Sequence, residues 1–299
     1  MSIAEHEFGS SSTDIKLAVV EGYLQAFTQA LRPHFNHLWY IDAYAGTGER
    51  TERVEAQLGS LFDAASPERI ERRRGSARIA LEVAPHFDQV TFIEKNARHC
   101  QALEALGSEF PGRNIEIMRG SAEDELRKLI QGRSWASKRA VVLLDPYGMS
   151  VSWRTLEMIQ ATKAIDVWYL VSLSGLFRQA ARDGRALDDT KRAAITRMFG
   201  TDAWDAEWYQ RTEKTDLFGQ VDEQHQRIAD VNAIEAYAMK RLSELFPKVL
   251  KPLRLDNGRG VPVFSLFFAV SNPHPKAIGL AQKIAGHMLK VGNSSQVRP

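Results

Sequence analysis

A single cysteine stands among the 299 residues. Cys100 therefore has no partner for an internal disulfide, and no cysteine-rich metal site can form. The eight histidines show no H-E-x-x-H or comparable spacing, so no metal site is expected. No transmembrane run, signal peptide or lipidation motif can be read, which predicts a cytoplasmic protein without membrane attachment. Repeats and low-complexity tracts are missing as well. The net charge of +2 is too small to demand a polyanionic partner by itself. What remains is an ordinary globular composition, 44% hydrophobic and 25% charged. Such a chain can form one large α/β domain or a core domain with an insertion.

The sequence is organised around Leu38 to Gly48. Leu38 to Ile41 read as a short buried strand, running into Asp42-Ala43-Tyr44-Ala45-Gly46-Thr47-Gly48. Gly46 and Gly48 permit backbone angles and close approaches that a Cβ would block. In open α/β sheets, ligands sit where the carboxyl ends of strands meet such turns. The wording resembles the S-adenosylmethionine loop of class I methyltransferases, which implies cofactor contacts from Asp42, Tyr44, Ala45, Gly46 and Gly48. A plain strand-to-loop turn or a dinucleotide loop can use the same glycine pair.

Around this stretch the chain alternates. Asp14 is placed to cap a helix whose Leu17, Val20, Leu24, Phe27 and Leu31 share one face, ended by Pro33. Strands are expected at Val90 to Glu94, Asn114 to Met118, Ala140 to Leu144 and Asp166 to Leu173, with helices from Asn96, Glu123 and Trp153. This rhythm predicts an α/β fold with a doubly wound, mostly parallel, Rossmann-like sheet. Glu49 to Arg74 reads as an insertion or lid, and Ser76 as the cap of the helix after it. From Gly175 to Phe246 the alternation stops, and helices are expected over Asp188 to Phe199, Asp202 to Gln210 and Asp222 to Leu245. Residues 175–246 are thus read as a helical insertion in a core of residues 1–174 and 247–299. Lys248 to Leu255 and Val263 to Val270, joined by a turn at Asn257 to Gly260, resemble the closing antiparallel strands of a class I methyltransferase. A final helix spans Pro275 to Lys290.

Two more strand ends carry chemistry. Glu94 can accept hydrogen bonds from both hydroxyls of a ribose, although a strand-end acid is also a common surface feature. Asp145-Pro146-Tyr147-Gly148 resembles the motif of enzymes that methylate exocyclic amines of nucleic-acid bases. Such an amine is a poor nucleophile because its lone pair is delocalised into the ring. The Asp145 carboxylate and the Pro146 carbonyl can take its N–H bonds, and Tyr147 can stack on an extruded or single-stranded base. The same four residues also favour a tight turn. Ser121 stands where an acid commonly meets the adenine amine, and Glu123 is the expected substitute one turn on. Two arginine groups, Arg69 to Arg78 and Arg178 to Arg197, suit either a phosphate backbone or solvated helix faces.

Across nearly its full length the chain resembles the three-Cys-motif partner proteins. The matching pieces are Lys16-Leu17 with Tyr23-Leu24, Tyr40 to Gly46, Gly75 to Leu81, Phe92-Ile93-Glu94, Asp145 to Gly148 with Trp153, Phe199-Gly200 with Trp204, and Phe264 to Ala269. The resemblance implies a methyltransferase-like core with a winged-helix-like segment inside residues 175–246, and a protein partner bearing three cysteines. Two functions stand against each other. One is an S-adenosylmethionine-dependent methyltransferase acting on a nucleic-acid base, DNA or RNA. The other is a non-catalytic methyltransferase-like partner protein that binds a three-cysteine-motif protein or nucleic acid. A nicotinamide oxidoreductase is disfavoured, because no G-x-G-x-x-G follows a strand.

Overall fold

The computed structural model describes residues 12–54, 69–215, 221–257 and 261–295. Helix α1 (Ser12–Leu31) and strand β1 (Leu38–Asp42) lead into an antiparallel hairpin of β2 (Glu49–Val54) and β3 (Arg69–Arg74). Then come α2 (Ser76–Glu82), β4 (Gln89–Glu94), α3 (Ala97–Ser108), β5 (Ile115–Arg119), α4 (Ala122–Gln131) and β6 (Arg139–Leu144). After α5 (Trp153–Ala161) and β7 (Ile165–Ser172) follow α6 (Leu173–Gln179), α7 (Asp189–Phe199) and α8 (Trp204–Trp208). A second hairpin pairs β8 (Tyr209–Thr215) with β9 (Val221–Arg227) before α9 (Val231–Leu245). The chain closes with β10 (Lys248–Val249), β11 (Leu253–Asp256), β12 (Pro262–Val270) and α10 (Pro275–Ser295).

The central sheet runs β10-β12-β7-β6-β1-β4-β5, with β11 also on β12. Strands β5, β4, β1, β6 and β7 are parallel, and β12 is antiparallel to its neighbours. The chain builds outward from β1 through β4 to β5, then returns to the other side of β1 with β6. That reversal is a topological switch point, where α/β sheets open a ligand crevice at the strand carboxyl ends. The architecture is a doubly wound, Rossmann-like α/β sheet in which the antiparallel strand β12 slots in beyond the parallel set.

Both faces of the sheet are covered, so its central strands are apolar throughout. Along β6, Val141 and Leu143 point into a cluster under α1, α2 and α10, while Ala140, Val142 and Leu144 point into the cluster under α4 to α9. β1, with Leu38 and Tyr40 against Trp39 and Ile41, divides the same way. The second cluster includes Phe199, Trp204, Trp208 and Tyr237, packed in one body with Val167, Tyr169 and Phe267 of the sheet. Phe199 and Trp208 both meet the Tyr237 ring edge-on, at 5.0 and 5.5 Å between centroids. Residues 175–246 thus complete one face of the sheet.

Several local expectations are corrected. The stretch read as one helix from Asp222 divides: its start is strand β9, and the Asp230 carboxylate, accepting from Ala233 N at 2.8 Å, starts α9 later. The helix expected to Gln210 ends at Trp208, because Tyr209 opens β8. Lys248 to Leu255 is two strands, interrupted before Leu253 at Pro252, which has no N–H for a ladder. Gly75, not Ser76, is the capping residue of α2. The described part of Glu49 to Arg74 is a hairpin, whose tip lies outside the described residues, as do Gly258 to Gly260. No helix among the described residues is long and apolar enough to cross a membrane.

Candidate active site

The parallel ladder brings the predicted strand ends together. Ala43 N donates to Leu143 O (3.1 Å), Ala45 N to Ile93 O (3.2 Å) and Gly120 N to Glu94 O (3.1 Å), so the carboxyl ends of β6, β1, β4 and β5 form one rim. Glu94 is the tie. Its Oε2 accepts from Gly46 N at 3.0 Å and its Oε1 from Asn96 N at 2.7 Å, which joins the glycine turn to the start of α3. Each carboxylate oxygen has two lone-pair sites, so Glu94 keeps capacity for further donors.

The two glycines of the turn do different work. Both adopt left-handed angles, Gly46 with φ +61° and Gly48 with φ +75°. A Cβ on Gly48 would lie 2.6 Å from Leu106 Cδ2, inside the packing of α3, whereas one on Gly46 would meet nothing within 4 Å. Gly46 thus faces open space at the rim and Gly48 faces the core. Gly48→Ala is expected to destabilise the fold by about 2–4 kcal/mol, from overpacking and backbone strain together. Gly46→Ala should cost only about 1–2 kcal/mol, the left-handed penalty alone. Urea melts of both variants check this; equal stability losses would contradict the assignment.

Asp42 is fully buried at the end of β1. Its Oδ1 accepts from Tyr44 N at 3.2 Å and its Oδ2 from the Tyr40 hydroxyl at 3.4 Å. Burial pushes its carboxyl up to about 6, against the hydrogen bonds from the Ser76 hydroxyl and the Tyr44 amide, which favour the charged form. Asp42 shapes the turn from beneath. On the adjacent strand end, Asp145 Oδ2 accepts from Lys16 Nζ of α1. Lys16 has a side chain only 10% exposed. It shares a stripe with Val20, Tyr23 and Phe27, at spacings of four, three and four, and such a lysine inside an apolar helix face is the signal that could have drawn it into the site. Asp145 Oδ1 has no partner among the described residues.

Beyond Asp145, Pro146 is buried and Tyr147 is 91% exposed, the most exposed large hydrophobic side chain described. Gly148, with φ +71°, turns the loop back. The loop is clamped from three sides. Ser150 Oγ donates to Tyr44 Oη at 3.0 Å, and Arg197 of α7 donates to Met149 O at 2.9 Å and Ser150 O at 3.3 Å. Glu123 Oε1 accepts from Ser152 N at 2.6 Å, with Arg197 at 3.5 Å from its other oxygen. Glu123 is therefore turned toward the Asp145 loop. Ser121 is the N-cap of α4, its hydroxyl accepting from Asp124 N (3.2 Å) and donating to Asp124 Oδ2 (2.7 Å).

Among the described residues, most arginines of the two groups are paired within the protein. Arg74 bridges Glu21 and Glu82, Arg78 bridges Glu49 and Glu109, and Arg192 pairs with Asp205 while lying 5.5 Å from the Trp204 ring. Arg178 and Arg182 remain exposed. Arg182 and Arg185 share no helix, since α6 ends at Gln179. No cluster of metal-ligating side chains occurs among the described residues.

Fold and rim together give a doubly wound, Rossmann-like α/β architecture whose strand-end turns meet at the switch point. No protein-family model matches the chain, and no curated protein does, so the three-Cys-motif partner resemblance stands on its motifs alone. Solved structures of similar arrangement include Trm1 from Pyrococcus horikoshii in complex with S-adenosyl-L-methionine, at 13% identity and a TM-score of 0.38, covering 94% of this chain and 76% of that one. Protein LPL1258 from Legionella pneumophila aligns over 92% of each chain at 12% identity and a TM-score of 0.40. An rRNA methylase from Streptococcus thermophilus covers 71% of this chain and 96% of its own, at 11% identity and a TM-score of 0.32. Likeness at this level assigns no function to this chain.

Proposed function

We propose that the chain is an S-adenosylmethionine-dependent methyltransferase acting on an exocyclic amino group of a nucleic-acid base. One observation carries this reading: Asp145, with the exposed Tyr147 ring after it, stands on the strand beside the open Gly46 turn. The rim fits the cofactor. Gly46 leaves room for its methionine part, with Tyr44 and Ala45 flanking, and Glu94 retains lone pairs for two ribose hydroxyls. Bound there, S-adenosylmethionine supplies an electrophilic methyl group on a sulfonium sulfur.

The chain's own residues act on the acceptor. Asp145 Oδ1 and the Pro146 carbonyl oxygen take the two amine N–H bonds, which draws the nitrogen toward a pyramidal, nucleophilic form. Lys16 holds Oδ2, fixing the orientation of the carboxylate beside buried Asp42. Tyr147 stacks on the base, while Glu123, Arg197 and Ser150 keep its loop in place. Ser121 borders the adenine end of the site. Exposed Arg178 and Arg182 on the 175–246 insertion, winged-helix-like in this reading, are the residues placed for a phosphate backbone.

Tyr147→Ala should lower transfer roughly five- to hundredfold, the worth of one stacked base, whereas Tyr147→Phe should stay near wild type. Radiolabel transfer onto mixed DNA and RNA measures both. A Tyr147→Ala protein as active as wild type would remove the stacking face from the site. The Lys16–Asp145 ion pair also favours a second reading, a non-catalytic partner for a three-cysteine-motif protein, because it ties down one oxygen of the acceptor carboxylate. Cofactor binding without transfer to any nucleic acid would select that reading.

A further inference from the structure

A second cavity opens at the opposite edge of the sheet, where β6 and β7 begin and β12 ends. Its volume of about 510 Å³ lies in the range of small-molecule sites. Phe27 and Leu31 of α1 face Leu280 and Ile284 of α10 across it. The floor is polar. Asp166, second residue of β7, accepts a 3.1 Å hydrogen bond from the Tyr23 hydroxyl. Burial pushes the Asp166 carboxyl up to about 7.

Arg139 begins β6 beside it, with its guanidinium 4.4 Å from the Phe35 ring centroid. Among the described residues its side chain makes one hydrogen bond, from Nη1 to Lys138 O at 2.6 Å, and no ion pair within 4 Å. Its charge acts on the Asp166 carboxyl electrostatically, yet most of the rigid, five-donor fork has no hydrogen-bond partner among the described residues, an arrangement suited to a planar bidentate acceptor. The mouth adds positive character. Lys276 stands there, at the N-terminal end of the α10 dipole, with its backbone N–H donating to His274 Nδ1 at 3.2 Å.

We propose that this cavity binds an amphipathic carboxylic acid, its carboxylate forked onto Arg139 and its hydrocarbon body held between α1 and α10. A neutral body alone would leave most of the Arg139 donors without an acceptor. A cationic head would have to displace Tyr23 from Asp166 while facing Arg139. The site is separate from the candidate active site: Arg139 and Asp145 lie at opposite ends of β6, about 20 Å apart at 3.3 Å per residue. It therefore holds or fails independently of the methyl-transfer reading.

Calorimetric titration of the full chain with decanoate, decanol and decylamine tests the proposal. Decanoate should bind at least tenfold more tightly than decanol. Arg139→Met, which keeps the apolar stem, should bring decanoate down to the affinity of decanol and leave decanol unchanged, showing that the cavity survives. Arg139→Lys should fall between, because it keeps the charge and loses the fork. Absence of decanoate binding, decylamine binding tighter than decanoate, or full decanoate affinity in a folded Arg139→Met protein would each overturn the assignment.

Discussion

Asp145→Asn should abolish methyl transfer and leave cofactor affinity nearly unchanged. The cofactor contacts proposed for this rim come from the Gly46 turn and Glu94, whereas Asp145 meets only the acceptor amine. Its effect is therefore felt in the transition state, lowering kcat and kcat/KM together. Asparagine keeps the shape and one acceptor oxygen but loses the charge that Lys16 holds in place. The alanine variant is a poorer probe, for a physical reason. It strands Lys16, whose side chain is 10% exposed, beside the apolar stripe of α1. Breaking a buried ion pair from one side costs about 3–5 kcal/mol, and the 30% exposure of Asp145 brings the expected loss nearer 1–3 kcal/mol. Adding Lys16→Met should return most of that stability without returning transfer. Radiolabel transfer and urea melts of the three variants separate the two roles. Wild-type transfer in Asp145→Asn would place the chemistry on another strand end.

The parts of this site that could be read from the sequence are those whose signals are local. Ala140 to Leu144 is apolar at every position because both faces of β6 are covered, and the polar turn after it marks the carboxyl end. The same logic exposed β1 with its glycines and β4 with Glu94. Contacts between distant segments were not legible. Lys16 and Asp145 are 129 residues apart, and only folding α1 beside β6 brings them together. Arg197 shows the same thing. In sequence it belonged to a basic group suited to phosphates, yet in the fold it holds the carbonyls of Met149 and Ser150. Glu123, expected at the adenine, accepts from the Ser152 amide from its place in the first turn of α4. The hairpin of β8 and β9 escaped detection because Gln210-Arg211-Thr212-Glu213 and Asp222-Glu223-Gln224 offer no apolar alternation to count.

Glu94→Ala should weaken S-adenosylmethionine binding at least tenfold if one ribose bond is lost and about a hundredfold if both are. Hydrogen bonds to a charged group contribute about 1.5–3 kcal/mol each, and 1.4 kcal/mol is a factor of ten. The structure adds a second cause. Glu94 also accepts from Gly46 N and Asn96 N, so its removal frees the turn that should cradle the methionine part and takes an acceptor from the start of α3. The two causes can be separated with glutamine. Glu94→Gln keeps one carbonyl oxygen, enough for one of the two backbone amides, but its NH₂ cannot accept from the other or from a ribose hydroxyl. It should fall between wild type and alanine in affinity, with a smaller loss of thermal stability than alanine. Adenosine, which carries the ribose and no methionine part, should lose about as much affinity as the whole cofactor if the ribose bonds dominate, and much less if loosening of the turn dominates. Unchanged cofactor affinity in a folded Glu94→Ala protein would remove Glu94 from the binding site and leave it only the work of joining β1 to α3.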